Sequence, residues 1–127
     1  AQGIQSVAVG AYSGYGTQST GAVAVGYQAG ATVQGAGSIA IGYEAGEGTQ
    51  GSDAIAIGPD SGFANQGSTS SAIGHDSGRT VQGAAAVAIG NQAGGSTQGD
   101  LGNLQSRNKH PHPLIYMRGK TFENTQL

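Results

Sequence analysis

Along residues 1–99 an apolar, alanine, apolar triplet returns every sixteen residues. It reads Val7-Ala8-Val9, Val23-Ala24-Val25, Ile39-Ala40-Ile41, Ile55-Ala56-Ile57 and Val87-Ala88-Ile89, with Ser71-Ala72-Ile73 as the one degraded copy. Such alternation has the two-residue period of a short strand, with β-branched residues on one face and alanine on the other. Each triplet is followed by a glycine (Gly10, Gly26, Gly42, Gly58, Gly74, Gly90) and, four residues later, by another (Gly14, Gly30, Gly46, Gly62, Gly78, Gly94). The two glycines bracket a corner. In the fourth unit that corner is Gly58-Pro59-Asp60-Ser61, where proline presets the second backbone angle of a turn. Gln2, Gln18, Gln34, Gln50, Gln66, Gln82 and Gln98 open the units, and all but Gln18 precede a glycine.

Three to five glycines in every unit exclude a helical repeat, since each interior glycine costs a helix roughly 1 kcal/mol. The pattern predicts a β-solenoid of about six sixteen-residue coils, stacked ~4.8 Å apart with parallel strands, a rod roughly 30 Å long. We expect Val7, Val9, Val23, Val25, Ile39, Ile41, Ile55, Ile57, Ile73, Val87 and Ile89 to point inward as the core. Ala8, Ala24, Ala40, Ala56, Ala72 and Ala88 would then face outward. A small residue held at every outward position implies close packing by another copy, because open strand positions usually mix Thr, Lys, Gln and Ser. Two aliphatic side chains per coil are also little to set against ordering sixteen residues. The alanine row is therefore the expected oligomer interface, alanine kept for coil geometry in a monomer being the alternative. Gln18, Gln34, Gln50, Gln66 and Gln82 are expected as a stacked amide ladder at a corner, each bonding to the next copy.

Composition narrows the function classes. There is no cysteine, so neither disulfides nor thiol chemistry is available, and only 9% of the residues are charged, which leaves few ionic partners and no basic surface for nucleic acid. The longest apolar run, 84–89, is too short to cross a bilayer, and the chain begins without the basic and apolar stretch of a signal peptide, so a soluble segment with no direct membrane insertion is expected. The net charge of −2 is divided unevenly: residues 1–100 hold Arg79 against six acids, whereas 101–127 hold four basic residues against Glu123.

The units "SVAVGAYSG", "AVAVGYQAG", "SIAIGYEAG", "AIAIGPDSG" and "AVAIGNQAG" resemble the YadA-type head repeats of trimeric autotransporter adhesins. That resemblance implies a left-handed parallel β-roll, three chains around a common axis, and a displayed adhesin or fibre. It likewise implies aliphatic pairs in the core and alanines near the subunit interface. Typical heads repeat at about fourteen residues. The sixteen-residue unit, with its added Gln-Gly element, is similar to repeats in surface or fibre proteins of large viruses and phages. The tail "LGNLQSRNKHPHPLIYMRGKTFENTQL" shows neither stalk heptads nor a clear basic neck, so membrane anchoring is not carried over.

Two segments follow: 1–99 as repeats and 100–127 as a C-terminal cap, arm or connector, in which "PLIYMRGKTFEN" reads as a hairpin turning near Arg118-Gly119-Lys120 or as an arm covering the open end of the roll. His110 and His112 are a weak metal pair, with no third ligand nearby. His75, Asp76 and Ser77 are a corner and not a hydrolytic triad. No phosphate loop, calcium nonapeptide or N-glycosylation acceptor is present, so no catalytic residue, metal or cofactor is expected. Tyr27, Tyr43 and Phe63 lie at variable corner positions and offer contact area to a host-surface glycan or protein receptor, although packing along the ladder explains them equally well. The expected function is a non-enzymatic structural or adhesive module, self-associating as a homotrimer or fibre on a cell or virion surface. The alternatives are a monomeric ligand- or lattice-binding solenoid and a head-to-tail filament joined through the tail.

Overall fold

The computed structural model describes residues 1–104, 115–117 and 120–122. Each coil contributes one three-residue and one two-residue strand. The longer ones are β1 (Val7–Val9), β3 (Val23–Val25), β5 (Ile39–Ile41), β7 (Ile55–Ile57), β9 (Ser71–Ile73) and β11 (Val87–Ile89). The shorter ones are β2 (Thr17–Gln18), β4 (Val33–Gln34), β6 (Thr49–Gln50), β8 (Asn65–Gln66), β10 (Val81–Gln82) and β12 (Thr97–Gln98). With β13 (Asn103–Leu104), the odd-numbered strands form a seven-stranded sheet and the even-numbered ones a six-stranded sheet. Every pairing in both is parallel and in register, so Ala40 sits between Ala24 and Ala56. The chain is a β-solenoid, and among the described residues there is no helix.

Corners stack as regularly as strands. Gly46 N–H donates to Ser61 O at 2.8 Å and Gly62 N–H to Ser77 O at 2.8 Å, so backbone hydrogen bonds run between coils through the turns. This closeness is what demands glycine. Gly42 has φ +132°, and a Cβ there would lie 2.8 Å from the carbonyl carbon and oxygen of Gly58. Its counterparts one coil away, Gly26 and Gly58, have the same left-handed backbone, which only glycine adopts without strain.

The inside and the outside are the reverse of the sequence expectation. Ala24, Ala40, Ala56, Ala72 and Ala88 are completely buried within the single chain and cannot form an oligomer interface, while Ala8 in the terminal coil is exposed. Two further interior rows hold only alanine or serine: Ala22, Ser38, Ala54, Ser70 and Ala86, and Ala29, Ala45, Ser61, Ser77 and Ala93. Val7, Val9, Ile41 and Ile89 are instead exposed, Val9 by 57%, and Val23, Val25, Ile39, Ile55, Ile57, Ile73 and Val87 are half-buried beside their row neighbours. None of these aliphatic residues belongs to the core.

The physical reason is the glutamine row. Gln18, Gln34, Gln50, Gln66, Gln82 and Gln98 are buried, and their amides cross the space between the two sheets. Gln50 Nε2 donates to Ile39 O at 2.7 Å and to Ala54 O at 3.2 Å. The expected bonds between successive amides are not made: the backbones stack in register, but each side chain turns inward. Each Oε1 accepts no hydrogen bond and rests instead against a glycine, for a Cβ on Gly30 would come within 2.7 Å of Gln34 Oε1. Once a glutamine fills the gap, only alanine, serine and glycine fit around it, and bulkier residues must turn outward.

Past Gly99 the solenoid continues. β13 pairs with β11, placing Asn103 beside Val87 and Leu104 beside Ala88. In the tail β14 (Ile115–Met117) and β15 (Lys120–Phe122) are antiparallel, with Tyr116 opposite Thr121. The expected turn at Arg118-Gly119 and the His110/His112 pair lie outside the described residues.

Gly42→Ala should cost at least about 3 kcal/mol in urea unfolding, from backbone strain and collision with the next coil. Gly99→Ala, where a Cβ would meet nothing within 4 Å, should be neutral; equal costs at the two sites would contradict the stacking argument.

Candidate interaction surfaces

Three surface features remain once the interior is assigned. The first is the outer face of the longer sheet. Its strands set two aliphatic rows side by side, one through Val7, Val23, Ile39, Ile55 and Val87, interrupted by Ser71, and one through Val9, Val25, Ile41, Ile57, Ile73 and Ile89. Parallel, in-register strands keep both rows straight, so the face is a flat apolar strip.

The second is an aromatic edge at the N-terminal end. Tyr27 and Tyr43, one coil apart, stack with ring centroids 5.4 Å apart and planes at 17°. Tyr12 meets Tyr27 edge to face at 6.0 Å and Tyr15 at 5.9 Å, and all four rings are exposed. Phe63 is not among them. It lies in a different row, under the Arg79 guanidinium at 5.4 Å. Sequence reading found two members of this edge and missed Tyr12 and Tyr15, which come from neighbouring positions of the first corner.

The third is an acidic corner. Glu44, Asp60 and Asp76 stack at equivalent positions on successive coils, each with positive φ. Burial, then the charges of Glu44 and Asp60, raise the Glu47 carboxyl above its ordinary value. Asp60 is raised first by burial, against the lowering pull of Arg79, and further by Glu44 and Asp76. Arg79 Nε lies 3.3 Å from Asp76 Oδ1, and His75 Nδ1 lies 3.2 Å from Asp76 Oδ2. Ser77 does not complete a triad with them, since its hydroxyl is buried and donates to Gly74 O at 2.8 Å.

A family model, the YadA head domain repeat, matches residues 16–45 in two copies. Residues 16–45 are thus similar to YadA head repeats. The match spans the second and third coils, and the same rows of glycine, alanine and glutamine persist in the coils on either side. No curated protein and no solved structure matches the chain. YadA head repeats wound into a β-solenoid are typical of structural and adhesive modules.

Proposed function

We propose that the chain is a non-enzymatic structural and adhesive module that assembles as a homotrimer through the aliphatic face of its longer sheet. It would be displayed on a bacterial surface, a virion spike or an extracellular fibre. The observation that carries this reading is the flat double row of Val and Ile side chains left outside a chain whose own interior is already filled by Ala, Ser and Gln. An apolar strip of this kind marks a surface built to be covered, and a second and third copy with the same spacing match it tooth for tooth. The YadA head family, associated with trimeric self-assembly and adhesion, supports that choice of occupant. The edge bearing Tyr12, Tyr15, Tyr27 and Tyr43 stays free in such an assembly if the aliphatic faces meet on the axis. Its exposed rings suit a host-surface glycan or protein receptor, since stacked aromatics present large area at low entropic cost.

Light scattering across a dilution series should give three times the 12.4 kDa chain mass. The variant Ile39→Thr/Ile41→Thr/Ile55→Thr/Ile57→Thr should keep its β-sheet circular dichroism and fall to the mass of one chain. A monomeric wild type would overturn the trimer and favour the ligand-binding solenoid, and long polymers would favour the filament. For adhesion, Tyr27→Ala/Tyr43→Ala should reduce retention on immobilised host glycans or matrix proteins at least about tenfold without changing the mass. Unchanged retention would remove the aromatic edge from the contact.

A further inference from the structure

We propose that Asp60, His75 and Asp76, joined by the Asn91 side-chain oxygen, form a binding site for a divalent transition ion such as zinc at the corner where the fourth, fifth and sixth coils stack. The donors are gathered by the coil repeat itself. His75 and Asn91 occupy one corner position on successive coils, and Asp60 and Asp76 occupy the next. Backbone hydrogen bonds hold these corners together, from Asp76 N–H to Pro59 O at 3.0 Å and from Gln92 N–H to His75 O at 2.8 Å. Asp60 and Asp76 share the same left-handed backbone, at φ 56° and 58°, so their carboxylates leave the roll in the same direction one coil apart.

The distances suit shared coordination. One donor atom from each of Asp60, His75 and Asp76 lies within 4.8 Å of the others. His75 Nδ1 is 3.2 Å from Asp76 Oδ2 and 3.3 Å from Asn91 Oδ1. Ligands bound at about 2.0–2.2 Å to a common ion sit roughly 3.0–3.4 Å from one another, so those two edges of a coordination shell already exist. A carboxylate oxygen of Asp60 lies within 4.8 Å of both and offers the third ligand. Two oxygens converge on one ring nitrogen that has at most one proton to offer, and an ion between the three satisfies them all.

Neighbouring groups favour this occupant. Arg79 engages Asp76 Oδ1 at 3.3 Å and leaves Oδ2 facing His75, which orients the carboxylate as outer hydrogen bonds do around metal ligands. The guanidinium is itself held over the Phe63 ring. It is the one basic side chain among residues 1–100, against a stacked row of three carboxylates and Glu47 beside it. Like charges one coil apart repel each other there. A divalent ion would relieve that repulsion and tie adjacent coils together. Imidazole with two carboxylates selects a zinc-like ion over calcium and magnesium, which prefer all-oxygen sites.

Zinc chloride titrated calorimetrically into the full chain, with a parallel thermal melt, tests the site. Wild type should bind one zinc per corner and melt at a higher temperature, while calcium or magnesium at the same concentration should do neither. His75→Gln and Asp60→Asn, both at solvent-facing corners, should fold with unchanged circular dichroism and bind zinc at least about tenfold more weakly. His110→Ala/His112→Ala should bind as wild type does, which separates the corner from the tail histidines. Absence of zinc binding in wild type, or binding that survives His75→Gln and disappears with His110→Ala/His112→Ala, would overturn the proposal.

Discussion

One buried glutamine amide per coil is the interaction on which the molecule depends. Gln34 and Gln50 reach across from the shorter sheet and bond carbonyl groups of the longer one, Val23 O at 2.6 Å and Ile39 O at 2.7 Å. Removing one partner of such a bond strands a buried carbonyl, at a cost of about 1–3 kcal/mol. The same side chain sets the thickness of the coil. Its Oε1 requires glycine at Gly30 and Gly46, its stem leaves room only for methyl-sized neighbours at Ala40 and Ala45, and its two bonds hold the sheets at fixed separation. The sixteen-residue period is the distance along the chain at which this arrangement can be rebuilt on top of itself.

A core of alanine, serine and glutamine has a consequence for the surface. A globular domain usually hides its Val and Ile residues, but here the interior has no volume for them, so β-branched residues that favour strands are carried on the outside. The solenoid is thereby held by backbone ladders and buried amides, and its aliphatic rows are free for association. Corner residues are freer still. Those at the first two positions after the corner glycine lie outside the interior, and their identity changes from coil to coil, aromatic at Tyr27 and Tyr43, polar and charged from Asp60 to Asn91. A single scaffold thus carries an outward-facing aliphatic strip along its length and distinct chemistry at each end of one edge.

The period, the strands, the parallel register and the glycine corners were all legible in the sequence, because sixteen-residue repetition and Gly-bracketed turns admit few other structures. The sign of the strand face was not. In a triplet such as Ile55-Ala56-Ile57 the alternation is symmetric, and hydrophobicity alone turns isoleucine inward. The deciding evidence lay elsewhere in the unit, in the positions of Ser38 and Ala54 and of Ala45 and Ser61, which hold only small residues, and in a glutamine that never varies along the chain. Three small rows and one long amide are the composition of an interior too narrow for isoleucine. The acidic corner was equally hidden, since Asp60, His75 and Asn91 are separated by fifteen or sixteen residues and meet only when the coils are stacked. Linear spacing looks for ligands a few residues apart, and a solenoid assembles them one coil apart.

The inverted arrangement is tested most directly by amide hydrogen exchange on Ala56→Leu. Ala56 is completely enclosed, and the larger side chain has nowhere to go without separating the sheets. The account predicts that slow exchange is lost across β5, β7 and β9, coil by coil around the substitution. Exchange as slow as in the wild type, with a change only in the solution mass, would contradict it, because it would place the alanine row on the surface and return the aliphatic rows to the core.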